Sequence, residues 1–157
     1  MPRRQYKRKQ PQSDPIYDNF EVAKLINYIM LDGKKTVARG IIYRTLENLK
    51  KEDNDPLTTL HKAIVNTTPE KEVRPRRLGG ASYLVPVEVR EERKLHLALN
   101  WIIKAATSRT NKEFNSFEAK LTQEIAEAAK NQGAAVAKKH QVEKLASQNK
   151  AFSHLKW

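Results

Sequence analysis

The chain has 157 residues, with 30 Lys+Arg against 18 Asp+Glu, no cysteine and a formal net charge of +12. That length suffices for one folded unit with a real core. A positive surplus on this scale points to a polyanionic partner, nucleic acid first and an anionic membrane surface second. The missing cysteines exclude disulfides and thiolate metal ligands, no apolar run approaches the roughly 18 residues of a membrane span, and the N-terminus does not read as a secretory signal. A soluble, intracellular protein is expected.

Residues 1–15 hold five basic residues, three prolines and no acid before Asp14. Such a segment buries too little apolar surface to offset its ordering entropy, so it is expected to be disordered when free, as a basic arm that folds onto phosphates. From Phe20 the spacing turns helical, with Val22, Leu25, Ile26, Ile29 and Met30 at i, i+3, i+4, i+7 and i+8 on one face. Asp18 or Asn19 is placed to cap this helix and Asp32-Gly33 to stop it. A second helix is expected from about Lys35 to Lys50, with Val37, Ile41, Ile42, Leu46 and Leu49 inward. The short turn makes it antiparallel to the first. Asp55-Pro56 reads as an N-cap followed by a first-turn proline, opening a third helix through Leu57, Leu60 and Ile64 that ends at Pro69.

Residues 72–89 break the helical pattern. Gly79-Gly80 suits a two-residue hairpin turn, because both positions can take positive φ. In the arm after the turn, Tyr83, Val85, Val87 and Val89 alternate with Ser82, Leu84, Pro86 and Glu88. The arm before it carries Arg74, Arg76 and Arg77, and Pro75 and Pro86 argue against a central sheet strand. A lone hairpin with a basic arm reads as a projection.

The most apolar helix follows, roughly Glu91 to Ser108, with Leu95, Ala98, Leu99, Ile102, Ala105 and Ala106 inward and Trp101 on a flank. Its wide apolar arc marks it as the central helix. Another helix is expected from about Ser116 to Asn131, with Phe117, Leu121, Ile125 and Ala128 inward and Gln132-Gly133 closing it. The last runs from about Ala135 to Lys150, with Val142, Leu145 and Ala146 inward. The fold class is therefore mostly α. A single domain over residues 16–157, with about six helices and a protruding β-hairpin at 72–89, follows the basic arm.

A search for catalytic chemistry returns little. Gly33-Lys34-Lys35-Thr36 resembles the end of a P-loop, but Tyr28 stands where the pattern needs glycine and no strand precedes it. His61, His96, His140 and His154 are scattered without metal-ligand spacing, so no metal or cofactor is expected. Ser82 and Ser108 lack a nucleophile-elbow context. Glu124 and Glu127 with Lys130 fit an exposed helix-face pairing. No enzyme is indicated. The positive signal is a set of separated basic clusters: Arg3 to Lys9, Lys34-Lys35 with Arg39, Arg74 to Arg77, Arg90 with Arg93-Lys94, Lys104 with Arg109 and Lys112, and Lys138-Lys139 through Lys156. Arginine forks and lysine ammonium groups in such numbers supply phosphate affinity. The competing reading is a helical DNA-binding regulator, with a helix-turn-helix pair and the hairpin as a wing.

Arg76-Arg77-Leu78-Gly79-Gly80-Ala81-Ser82-Tyr83-Leu84-Val85-Pro86-Val87-Glu88-Val89-Arg90 resembles the small-subunit ribosomal protein seven family in its bacterial or organellar form. The resemblance continues in register through Met1-Pro2-Arg3-Arg4, Asp14-Pro15, Leu31 to Lys35, Ala98 to Ile103 and Asn149 to Trp157. It implies a helical domain with a projecting hairpin, a structural protein that catalyses nothing. Such proteins bind the 3′ major domain of small-subunit rRNA early and nucleate head assembly. They sit near the mRNA exit path and exit-site tRNA, among neighbouring small-subunit proteins numbered nine and eleven. The implied location is the ribosome of the cytoplasm, with an organellar ribosome left open, away from membranes and not as an independent homo-oligomer.

Carried onto this chain, the resemblance assigns rRNA contact to Arg3, Arg4, Lys7, Arg8, Lys9, Lys34, Lys35, Arg74, Arg76, Arg77, Arg93, Lys94 and Arg109. It turns Arg77, Leu78, Gly79, Gly80 and Ala81, with Lys150, His154, Lys156 and Trp157, toward mRNA and exit-site tRNA. Three places depart from the family pattern. Thr67-Thr68-Pro69 stands where many members carry an arginine before the proline. Ala81 and Leu84 replace more polar tip residues, and the segment 104–116, with Asn111, Glu113 and Asn115, is less basic than usual.

Overall fold

A computed structural model describes residues 12–52 and 55–155. Six α-helices and one two-stranded ribbon form among them. In chain order these are α1 (Phe20–Ile29), α2 (Lys35–Glu52), α3 (Pro56–Thr67), β1 (Lys71–Leu78), β2 (Ala81–Glu88), α4 (Glu91–Ser108), α5 (Phe117–Ala129) and α6 (Ala134–Gln148), then a 3₁₀ segment (Lys150–Leu155). The mostly helical class with a single hairpin follows the spacing. Three of the six helix starts follow the capping chemistry: Asn19 accepts from the amides of Glu21 and Val22, Asp55 from those of Leu57 and Thr58, and Ser116 from that of Ala119. The end of α5 differs from expectation. Asn131 takes positive φ (59°), its amide donates to the Ala128 carbonyl and that of Gln132 to Glu127, so asparagine makes the left-handed cap. Gly133 is left to begin α6.

The core is a continuous cluster drawn from all six helices. Leu99, Ile102 and Ala106 of α4 and Leu121, Ile125 and Ala128 of α5 are fully buried. The centre is shared, because α5 packs against α2, α3, α4 and α6. Truncating Ile125 to alanine there costs about 3 kcal/mol through lost transfer energy and the cavity left behind. Two expected core residues point outward: Val37 is 57% exposed and Leu145 38%. In α2 the buried stripe runs Ala38, Ile42, Thr45, Leu46, Leu49, and that rotation turns Val37 to solvent. In α6 small residues, Ala135 and Ala146, carry the buried stripe with Val136, leaving Leu145 outside.

Asp14, expected within the disordered arm, is fastened to the folded body. It is buried, accepts from the amides of Ile16 and Tyr17, and takes the Tyr43 hydroxyl at 3.0 Å. Burial first, then the bond to Asp14, pushes the Tyr43 phenol above its ordinary pKa.

The ribbon pairs Leu78 with Ala81 across Gly79-Gly80, and both glycines have positive φ (55° and 88°). Its outer half projects, with Pro75, Arg76 and Arg77 exposed. Its inner half does not. Glu72, Val85 and Pro86 are buried, α6 packs against both strands, and the 3₁₀ segment lies on β2 with Phe152 5.3 Å from the Tyr83 ring. Burial of Val85 and Pro86 together breaks the expected alternation at the point where a second element covers the other side of the strand.

Candidate nucleic-acid interface

Strand register sorts the hairpin's charges. Side chains two apart share a face, so Glu72, Arg74 and Arg76 lie on one side with their partners Val87, Val85 and Tyr83, and Arg77 lies on the other. Glu72 therefore meets Arg74, whose Nη2 is 2.6 Å and Nε 2.8 Å from Glu72 Oε1. Only Val89 and Arg90 separate β2 from α4, which brings the first turn of the helix to the same place. Arg93 forks onto Glu72 there, with Nη2 at 2.8 Å from Oε2 and Nε at 2.9 and 2.8 Å from the two oxygens. A carboxylate with 9% exposure thus holds two guanidinium groups that keep 41% and 46%. Each guanidinium has five N–H donors and a fork occupies two, so donors remain for a second acceptor on the solvent side. The root carries a net positive charge in a fixed shape.

A second basic site lies at the α1–α2 corner. Asp32 and Gly33 both take positive φ (52° and 72°), and Lys34 and Lys35 stand exposed at the start of α2. One turn on, Arg39 has a buried Nε with no hydrogen-bond partner among the described residues. Lys35 and Arg39 line a cavity of about 340 Å³ with Asn27 and Asp14. On the hairpin Arg77 is exposed, as is Arg76.

Two of the expected contact residues are engaged elsewhere. Lys94 pairs with Glu91 at 2.6 Å and borders an open groove of about 940 Å³ between α1, α3, α4 and α6, whose lining mixes Glu21, Glu70, Glu91 and Glu143 with Lys71 and Lys139. Arg109 is taken into the fold. Its Nη2 lies 2.5 Å from Glu124 Oε2 and also pairs with Glu127, its guanidinium sits 5.7 Å from the Phe114 ring centre, and its side chain is only 18% exposed. Glu124, expected on an exposed face, is completely buried. The wheel explains it, since 121, 124, 125 and 128 are at i, i+3, i+4 and i+7, the apolar face itself. Its other oxygen accepts from the Ala135 amide at 3.0 Å, at the start of α6, where the helix dipole favours an anion. Lys120, also buried, donates to the Arg109 carbonyl and to Asn111 Oδ1, both at 2.6 Å. These bonds make the α4–α5 loop a clasp. Hydrogen bonding to Arg109 holds the Glu127 carboxyl below its ordinary pKa, with burial acting in the opposite sense. Burial works to lower the Arg109 pKa, but the same two carboxylates together outweigh it and raise it.

The tip residues Gly79, Gly80 and Ala81 are exposed and Leu78 is half-buried, while Lys150 and His154 lie exposed on the 3₁₀ segment. Arg3, Arg4, Lys7, Arg8, Lys9, Lys156 and Trp157 fall outside the described residues. Among the described residues no group of His, Asp and Glu could hold a metal ion, and no helix is long and apolar enough to cross a membrane.

The family model for ribosomal protein S7p/S5e matches residues 1–150. The chain belongs to that family. It is 46% identical over 158 aligned positions to the small ribosomal subunit protein uS7 of Thermosipho africanus and 47% to that of Pseudothermotoga lettingae, covering all of both chains in each case. The uS7 of Dictyoglomus turgidum is 46% identical over 145 positions, covering 92% of this chain and 91% of that one. As a member of the S7p/S5e family the chain is a structural, non-enzymatic protein of the small ribosomal subunit that binds rRNA and serves translation, and its place is the ribosome in the cytoplasm. Within that family frame, Glu72 is the residue that sequence reasoning passed over. Its signal was an acid at i−2 from Arg74 in a strand otherwise basic.

Proposed function

We propose that the chain is a primary rRNA binder of the 3′ major domain, nucleating assembly of the subunit head beside the mRNA exit path and the exit-site tRNA. The observation that carries this reading is the hairpin root, where one buried carboxylate presents two half-exposed arginines to solvent. Lys34 and Lys35, Arg76 and Arg77, and the arm residues Arg3, Arg4, Lys7, Arg8 and Lys9 extend the rRNA face. Lys94 serves at the groove margin, while Arg109 holds the loop and leaves RNA contact to the others. The tip from Arg77 to Ala81 and the segment from Lys150 to Trp157 face mRNA and exit-site tRNA. The packing of Phe152 on Tyr83 supports this by joining the two pieces into one surface. The groove interleaves Glu21, Glu70, Glu91 and Glu143 with Lys71, Lys94 and Lys139, and this mixed-charge lining suits neighbouring ribosomal proteins, those numbered nine and eleven. The arm before Asp14 and the domain that follows it divide the labour, one wrapping RNA and the other shaping it.

Competition binding at physiological salt tests the reading. A transcript of the 3′ major domain is expected to displace duplex DNA from the full chain. Deletion of residues 2–9 is expected to flatten the log–log salt dependence by about 0.7–0.9 for each phosphate the arm no longer neutralises. A preference for duplex DNA overturns the proposal, and an unchanged slope removes the arm from the interface.

A further inference from the structure

We propose that Glu72 is a positioning residue for RNA binding, an acid whose removal weakens the hold on a polyanion. The inference rests on the rRNA-binding reading above and assigns the negative charge at the centre of the positive face.

Coulomb's law alone makes Glu72 a liability. A carboxylate about 6 Å from a phosphate across water weakens binding roughly twofold to threefold, and its removal adds one charge to a net of +12. Geometry argues the reverse. Arg74 comes from a strand and Arg93 from a helix, and Glu72 is the acid that bonds both side chains. Freed, two long side chains regain rotamers that binding must then remove, and their like charges push them apart. Refreezing both lowers affinity by on the order of tenfold. The ordering term exceeds the repulsion because it acts twice and lies within the protein, whereas the repulsion acts through solvent. Glu72 is also placed to avoid the ligand. It is 9% exposed, and its oxygens are covered by the guanidinium groups they orient.

The test is a double-mutant cycle on the full chain, read as the dissociation constant for a 3′ major domain transcript at physiological salt. Glu72→Gln is expected to weaken binding about threefold to tenfold despite raising the net charge. In a background of Arg74→Ala with Arg93→Ala the same change is expected to leave binding equal or slightly tighter, since only the repulsion remains to be removed. Equal or tighter binding by Glu72→Gln alone overturns the inference. So does a loss that persists without the arginines, which assigns Glu72 to the fold. Thermal melting of each protein accompanies the titrations. If Glu72→Gln does not fold, Glu72→Asp takes its place, keeping the charge but shortening the reach, with about a threefold loss expected. Failure of the wild-type chain to bind the transcript instead defeats the rRNA-binding reading itself.

Discussion

The hairpin root and the α4–α5 clasp are made from the same two residue types in inverse proportion. At the root one glutamate serves two arginines, each nearly half exposed. At the clasp one arginine serves two glutamates, one of them with no exposure at all. The charge balance of each arrangement sets its use. A root with positive charge left over and donors turned to water is fitted to phosphate, whereas the clasp, whose two glutamates are matched by Arg109 and the buried Lys120, is neutral and closes on the fold, with Glu124 receiving the Ala135 amide at the start of α6. Arginine and glutamate together do not by themselves mark an RNA site. Their ratio and their depth do.

The largest separation between the two regions is expected from Arg109→Met. Glu124 would stay buried without its counter-charge, at a cost of about 3 kcal/mol, and the melting temperature should fall by on the order of 10 °C. RNA affinity measured well below the melt should hold. If instead the melt is unchanged and the salt slope drops, Arg109 belongs with Arg74 and Arg93 and the contrast collapses.

Gly133→Ala reaches the clasp from its other side. The residue has φ 92° and ψ 170°, a region essentially confined to glycine, and an added Cβ would stand 3.1 Å from Glu124 Oε1 and 3.3 Å from Glu127. A loss of about 2 kcal/mol in urea unfolding is expected, with the hairpin unaffected. Unchanged stability would mean that the start of α6 does not depend on the Glu124 contact.

Much of this fold was legible because local rules decided it. Asn19, Asp55 and Ser116 cap their helices as their types dictate, and Gly79-Gly80 fixes the hairpin register. What escaped was nonlocal. Val37 and Leu145 face water because the stripe that matters is set by the partner helix. Asp14 is buried because Tyr43, 29 residues later, supplies a hydroxyl. At the candidate site the basic clusters were plain, yet the division between Arg93 at the root and Arg109 in the clasp depends on carboxylates brought up by other elements. The wheel position of Glu124 was available to the reading, and taking its charge as a reason for exposure hid it.

Acid titration should sharpen the contrast further. Pairing with Arg109 depresses the folded-state pKa of Glu127 from its ordinary 4.5. A depressed carboxyl contributes stability that is present above the unfolded value and lost as pH falls through the folded one. The melting temperature should therefore decline below about pH 4.5 more steeply in the wild type than in Glu127→Gln, and the two curves should converge in strong acid. Parallel curves would show that the clasp does not couple protonation to folding.

The smallest stability effect and the clearest binding effect are expected together in Arg93→Ala. Arg93 itself is nearly half exposed and is one of two arginines on Glu72, so its removal should change stability by only about 0.5 kcal/mol. The neighbouring Arg74 still covers the carboxylate, which avoids the stranded buried charge that makes Arg109→Met severe. Binding to the 3′ major domain transcript should nonetheless weaken, with the log–log salt slope falling by about 0.7–0.9, the share of a single phosphate. Arg109→Met should leave that slope alone. A root arginine that alters the slope and not the melt, set against a clasp arginine that alters the melt and not the slope, separates RNA contact from fold maintenance in two measurements. An Arg93→Ala protein with both quantities unchanged would place the phosphate contacts on Arg74, Arg76 and Arg77, leaving Arg93 only to brace Glu72 from the helix side.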